Sequence, residues 1–140
     1  MKRAAMVCLR AVLAATVLLT ACARAPETMH DCANLSAGCR VDGVYLSSNQ
    51  PPQILKPFEL RMEIHDPALT IPDEVYASFG MEGMEMGLNR YRLIKKAEGL
   101  WVAEVNLPAC VRGRADWTML LELHGGMRSQ RYMIGFQTEG

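Results

Sequence analysis

Phe58-Glu59-Leu60-Arg61-Met62-Glu63-Ile64-His65 alternates apolar and polar side chains without a break. Successive side chains of an extended strand point to opposite faces. A period of two therefore puts Phe58, Leu60, Met62 and Ile64 on one face and Glu59, Arg61, Glu63 and His65 on the other. This is the pattern of a half-buried strand, and it assigns Met62 to a core.

The same rhythm extends outward in both directions. A strand over 41–47 precedes it, and Val75, Ala77 and Phe79 follow, running into a stretch of methionine and glycine from which Tyr91 and Leu93 return. Glu98-Gly99 turns the chain into Trp101, Ala103, Val105 and Leu107. Pro108 ends that strand because it has no N–H to give a ladder. Trp117, Met119, Leu121 and Leu123 form the next inward set, and Gly125-Gly126 is a hairpin turn into Tyr132, Ile134 and Phe136. About seven short strands in roughly a hundred residues predict an all-β fold, an immunoglobulin-like antiparallel β-sandwich, with an open barrel as the alternative. If successive strands reverse direction, the loops at 49–57, 82–87 and 109–115 share one pole. The N-terminal entry, the loop after His65 and the turns at Glu98-Gly99 and Gly125-Gly126 share the other.

The first 21 residues have the composition of a leader: Lys2 and Arg3 ahead of an apolar run from Ala11 to Leu19, ending in Leu19-Thr20-Ala21-Cys22. Arg10 leaves the run short of the ~20 apolar residues that a membrane-spanning helix needs. Leu-Thr-Ala-Cys resembles the bacterial lipobox, which implies cleavage before Cys22 and lipid on its sulfur; an ordinary secretory cut after Ala21 or Ala23 is the alternative. Ala23 after the acylated cysteine implies, by the same resemblance, sorting to the outer membrane. The expected organisation is a signal at 1–21, a lipidated tether with a possible disulfide loop at 22–40, and a sandwich domain at 41–140. The whole chain is neutral, with 15 basic and 15 acidic residues; losing the leader's three cations takes it to about −3, which offers no basic field to nucleic acid.

With Cys8 in the leader and Cys22 under lipid, Cys32, Cys39 and Cys110 remain for an oxidising compartment. Cys32 and Cys39 flank a short flexible loop and are the favoured disulfide, Cys39 with Cys110 being the alternative that the pole assignment disfavours. Cys110 then stands alone between Ala109 and Val111, with Arg112 and Arg114 placed to favour a thiolate; the competing reading is a small buried hydrophobe at a strand end. Met81 continues the inward parity of Val75, Ala77 and Phe79 and belongs to the core, as does Met119. Met84 and Met86 lie two apart among Gly83 and Gly87, on the pole that Cys110 shares. Thioether and thiolate sulfurs are soft donors that suit Cu(I), so Met84, Met86 and Cys110 are the candidate metal ligands; the competing reading of Met84 and Met86 is apolar cover for the open end of the fold. His65 and His124 fall at the opposite pole and read as solvated surface residues, whose nearness to Met29 and His30 is the one hint of a second metal site. No Cys-x-x-Cys pair, zinc-spaced cluster, phosphate loop or nucleophile elbow is present, so no enzyme is expected.

Taken together, F-G-M-E-G-M-E-M-G-L-N-R-Y-R-L from Phe79, G-L-W-V-A-E-V-N-L-P from Gly99 and C-V-R-G-R-A-D-W from Cys110 resemble the YtkA-like and FixH-like families of small secreted proteins, over roughly Leu55 to Phe136. The resemblance implies an immunoglobulin-like sandwich and a role in copper handling and cytochrome oxidase assembly. Met84, Met86 and Gly87 carry over by motif, whereas Cys110 enters through the pole assignment. The expected function is a lipid-anchored periplasmic protein that holds Cu(I) weakly and passes it to an oxidase subunit or a copper chaperone. The alternative is a non-catalytic envelope interaction module without metal.

Overall fold

The structure, a computed structural model, describes residues 28–127 and 129–139. The leader and the expected lipidation site Cys22 lie outside the described residues. Among the described residues there is no α-helix, and no helix long and apolar enough to cross a membrane. Nine strands form one mixed sheet: β1 (Met29–Asp31), β2 (Cys39–Val41), β3 (Val44–Ser48), β4 (Phe58–Ile64), β5 (Glu74–Gly80), β6 (Arg90–Ala97), β7 (Leu100–Val105), β8 (Asp116–His124) and β9 (Gln130–Gln137). Their spatial order is β1-β9-β8-β5-β6-β7-β4-β3-β2, and the sheet curls until it nearly closes into a barrel.

Strands β3 to β9 are the seven that the alternation predicts; the count is nine because the chain before Val44 adds two. The expected first strand over 41–47 is broken by a turn at Asp42-Gly43, so Val41 ends β2 and Val44 begins β3. Residues placed in the tether thus belong to the sheet. Neither three-residue strand is long enough to show a period of two.

Inward parity is realised along each long strand. Phe58, Leu60 and Met62 of β4 are buried, as are Val75, Ala77 and Phe79 of β5, Trp101, Ala103 and Val105 of β7, Trp117, Met119, Leu121 and Leu123 of β8, and Tyr132, Ile134 and Phe136 of β9. Strand β6 differs. Its first half pairs with β5, from Leu93↔Val75 to Arg90↔Ser78, and its second half pairs with β7, from Ile94↔Val102 to Ala97↔Leu100, with a register shift between Lys95 and Ala97. Changing partner mid-strand turns the sheet through a corner, and the alternation breaks there: Leu93 is buried while Ile94 is half exposed.

The two ends of the sheet, β1 and β2, meet at a seam. All ladders are antiparallel except β1 on β9, which is parallel, so the chain leaves β1 at the same pole where it leaves β9. The seam is closed by the Cys32–Cys39 disulfide, whose Cα atoms are 5.8 Å apart, and by Leu35, fully buried from a 3-10 turn at Leu35–Ala37. Asn34 caps that turn, its Oδ1 accepting from the Ala37 N–H at 3.2 Å and the Ser36 hydroxyl at 2.8 Å. The turn ends at Gly38, whose φ of 80° lies in the left-handed region and whose missing side chain makes room for the Tyr45 ring.

At the other end of the seam, His30 Nε2 lies 3.6 Å from Asp42 Oδ2, and the His30 ring meets Tyr132 edge-on. Burial, and then the Asp42 carboxylate, push the Tyr132 phenol above its ordinary value of 10.0. A raised phenol pKa means that the fold favours the protonated form. The resulting stability is present below pH 10 and is lost as pH climbs towards the folded value. Urea midpoints measured from pH 8 to 11 should fall more steeply for the native protein than for Tyr132→Phe; parallel curves would remove Tyr132 from the alkaline transition.

Candidate functional site

The pole of interest gathers the loops after β3, β5 and β7. Leu55 donates its N–H to the Leu107 carbonyl at 2.9 Å, tying the first of these loops to the third. The site itself is made from two four-residue turns. In Met81-Glu82-Gly83-Met84 the Met84 N–H donates to the Met81 carbonyl at 3.1 Å. Gly83 sits at φ 73° with open space where a Cβ would be, so the requirement for glycine there is conformational. Met81, 4% exposed, anchors the turn in the core and leaves Met84 half-buried across from it. In Cys110-Val111-Arg112-Gly113 the Gly113 N–H donates to the Cys110 carbonyl at 3.2 Å.

The two turns lie side by side. The Cys110 thiol donates to Met84 Sδ at 3.5 Å, joining sulfurs 26 residues apart in a half-buried position. Arg114 latches the turns together: its Nη1 donates to the Glu82 carbonyl at 2.8 Å, while Nε donates to Asp116 Oδ1 at 2.9 Å and Nη2 to Oδ2. The hydrogen bond from Arg114 holds the Asp116 carboxyl below the usual carboxylate range, and the same bond pushes the guanidinium up. A depressed carboxyl pKa places this contribution above the ordinary value of 3.8 and removes it as pH falls through the folded value, so the latch opens in strong acid and not near neutrality. The guanidinium that the sequence offers to a thiolate is taken up by a carboxylate and a carbonyl, and Arg112 is exposed. The role of Arg114 is to hold the two turns in register.

Met86, also half-buried, lines a separate shallow groove with Leu55, Leu88, Tyr91, Asn106 and Leu107. Cys32 and Cys39 are consumed by their disulfide. The pole assignment for them needs correction, because the parallel β1 carries their loop to the Met84 end, where Gln137 donates its N–H to the Ala33 carbonyl at 3.2 Å. His65 and His124 lie at the far pole. His65 stacks on Tyr45 and reaches Glu63 at 3.1 Å, whereas His124 meets Tyr76 edge-on and Ser129 Oγ at 3.0 Å. Among the described residues no three of His, Cys, Asp and Glu are gathered to hold a metal. What the site offers is sulfur alone, a donor set that favours a soft monovalent ion over zinc, calcium or magnesium.

No protein-family model, curated protein or solved structure matches this chain. The latch through Glu82 was not visible in the sequence, because a backbone carbonyl leaves no trace in residue identity.

Proposed function

We propose that this protein handles copper in the bacterial envelope, anchored by lipid on Cys22 and carrying Cu(I) as cargo between Cys110 and Met84. The observation that carries the reading is the 3.5 Å contact between thiol and thioether, brought together from two loops and braced by Arg114. With metal–sulfur bonds of about 2.3 Å, two sulfurs in a trigonal site stand about 4 Å apart. Each turn needs to yield only a few tenths of an ångström, and the thiol gives up its proton. Met86 lines the neighbouring groove and would have to swing out of it to supply a third sulfur. Neutral thioethers exchange readily, which suits transfer to an oxidase subunit or another chaperone better than storage. The resemblance to YtkA-like and FixH-like proteins, and an immunoglobulin-like arrangement of β3 to β9, belong to the same reading.

The test is Cu(I) competition against a chromophoric chelator, in ascorbate and without thiol reductants. One equivalent should bind to the native domain. Affinity should fall at least 100-fold in Cys110→Ser and at least tenfold in Met84→Leu, both with unchanged urea midpoints. If Cys110→Ser binds copper as the native domain does, the site is elsewhere.

A second reading is favoured by one observation: Leu55, Leu88 and Val111 are 63%, 92% and 94% exposed around the same pole. Large exposed apolar side chains in one region mark contact surfaces. In this reading the sulfurs are adaptable packing for a partner, and the domain takes up no copper.

A further inference from the structure

The chain enters the sheet from the pole opposite the sulfurs. Strand β1 runs parallel to β9 and begins with Met29 beside Met133, so the chain reaches Met29 from the side of the Gly125-Gly126 hairpin. Five residues, 23–27, separate Cys22 from Thr28, and fully extended that chain spans at most about 21 Å. From the level of Thr28 the hairpin pole is near: β9 begins at Gln130, about 7 Å away at ~3.3 Å per residue. The turn at Cys110–Gly113 is not. It lies beyond Asp116, which pairs with Gln137 at the far end of β9, already about 17 Å from that level.

The hairpin pole ends in exposed apolar side chains. Met127 is 102% exposed at the tip of the hairpin and Ile71 is 44% exposed in the loop 65–73, where Pro67 and Ala68 are exposed as well. The two segments are packed as one surface. Asp73 donates its N–H to the His124 carbonyl at 2.8 Å, and Gly125 lies so close to Pro72 that a side chain there would strike the Pro72 backbone. Asp66 fixes the bend: its Oδ1 accepts from the Ala68 N–H at 2.8 Å, and its N–H donates to the Gly43 carbonyl at 3.2 Å. Thr70, Pro72 and Met127 line one shallow hollow between loop and hairpin. Charge does not select what covers this pole. Lys95 pairs with Glu98 at 3.0 Å and the Asp66 carboxylate is turned onto its own loop, so apolar surface is what the pole offers.

We propose that this pole docks on the bilayer that holds the lipid of Cys22, with Met127 and Ile71 entering the interfacial region. The inference rests on acylation of Cys22 in the reading above and does not depend on copper. A short tether keeps the surface at an effective concentration on the order of millimolar. Full burial of one such side chain shifts an equilibrium roughly ten- to a hundredfold. Two side chains therefore suffice to dock a tethered domain, although they would not hold a free one. Docking in this orientation turns Cys110 and Met84 to the aqueous side. Nine residues of β8 separate the poles, which sets the sulfurs on the order of 25 Å from the lipid, within reach of a soluble carrier.

The probe is the acylated lipoprotein reconstituted in phosphatidylcholine vesicles that contain brominated phosphatidylcholine, with a tryptophan introduced at one pole or the other. Emission from Met127→Trp should be quenched at least twofold beyond the native background of the buried Trp101 and Trp117. Leu88→Trp, which places the same ring at the sulfur pole, should not be quenched. Adding Ile71→Glu to Met127→Trp should remove at least half of the quenching without moving the urea midpoint. Acyl chains on Cys22 are read by mass on the same sample. An unquenched tryptophan at position 127 of an acylated protein, or equal quenching at position 88, would overturn the docking and leave the anchor standing. A Cys22 without acyl chains would remove the anchor, and the docking with it.

Discussion

Leu35→Ala is expected to cost about 3 kcal/mol, within the roughly 2–5 kcal/mol range for large-to-alanine changes in packed interiors. Leu35 is 0% exposed, yet it lies on a three-residue 3-10 turn in a segment whose composition reads as tether. Its side chain fills the space between the two ends of the sheet, where no ladder joins β1 to β2. Removing it leaves a cavity in the loop that the disulfide closes, and the cost depends on how far the surrounding walls can relax into it. At about 4–8 °C per kcal/mol for a small domain, the melting midpoint should drop by roughly 12–24 °C. Ser36→Ala on the same turn should cost no more than ~1 kcal/mol. Equal losses from the two variants would show that the seam is not held by burial.

The second large effect is expected from Cys32→Ala/Cys39→Ala. The bridged residues are 7 apart in sequence, and the loop-entropy model gives roughly 2–3 kcal/mol for closing so short a loop. A structural consequence should accompany the loss. Strand β1 is three residues long and is held to β9 by its parallel ladder, continued by the Cys32 N–H donating to the Gly135 carbonyl at 2.8 Å. Without the bridge, exchange at the Cys32 amide should rise at least 100-fold while the amides between β8 and β9 keep their protection. If the midpoint does not move and Cys32 stays protected, the seam closes without the covalent link. The effects of these changes and of Leu35→Ala should sum to less than their separate values, since Leu35 lies within the loop that the Cys32–Cys39 bridge closes.

The seven long strands were legible because their inward and outward residues alternate, as in Phe58 to Ile64, and a one-sided core makes that period visible. Strands β1 and β2 were not, being too short to alternate. With the turn at Asp42-Gly43 read as part of one strand over 41–47, the count falls one strand short there, and reversal at each step places the Cys32 loop at the wrong pole. The disulfide itself was readable from the nearness of Cys32 to Cys39 in sequence. The meeting of Cys110 with Met84 followed from counting strands between them, where each connection does reverse. Met86 shows the limit of that count: parity brings a residue to the correct end of the molecule but does not choose between a turn and the groove beside it. The corner at β6 left a trace in Leu93-Ile94, two apolar neighbours that break the alternation where the strand changes partner.

The seam and the sulfur pair make opposite demands on electrons. Cys32 and Cys39 close the sheet only after giving up two electrons as a disulfide, whereas Cys110 can ligate or react only while it keeps its own. A reductant strong enough to open the seam leaves Cys110 a thiol, and a two-electron oxidant that secures the seam can take Cys110 to sulfenic acid. The domain is therefore complete only within a window of potential. Separate titration of the two sulfur populations would place its limits.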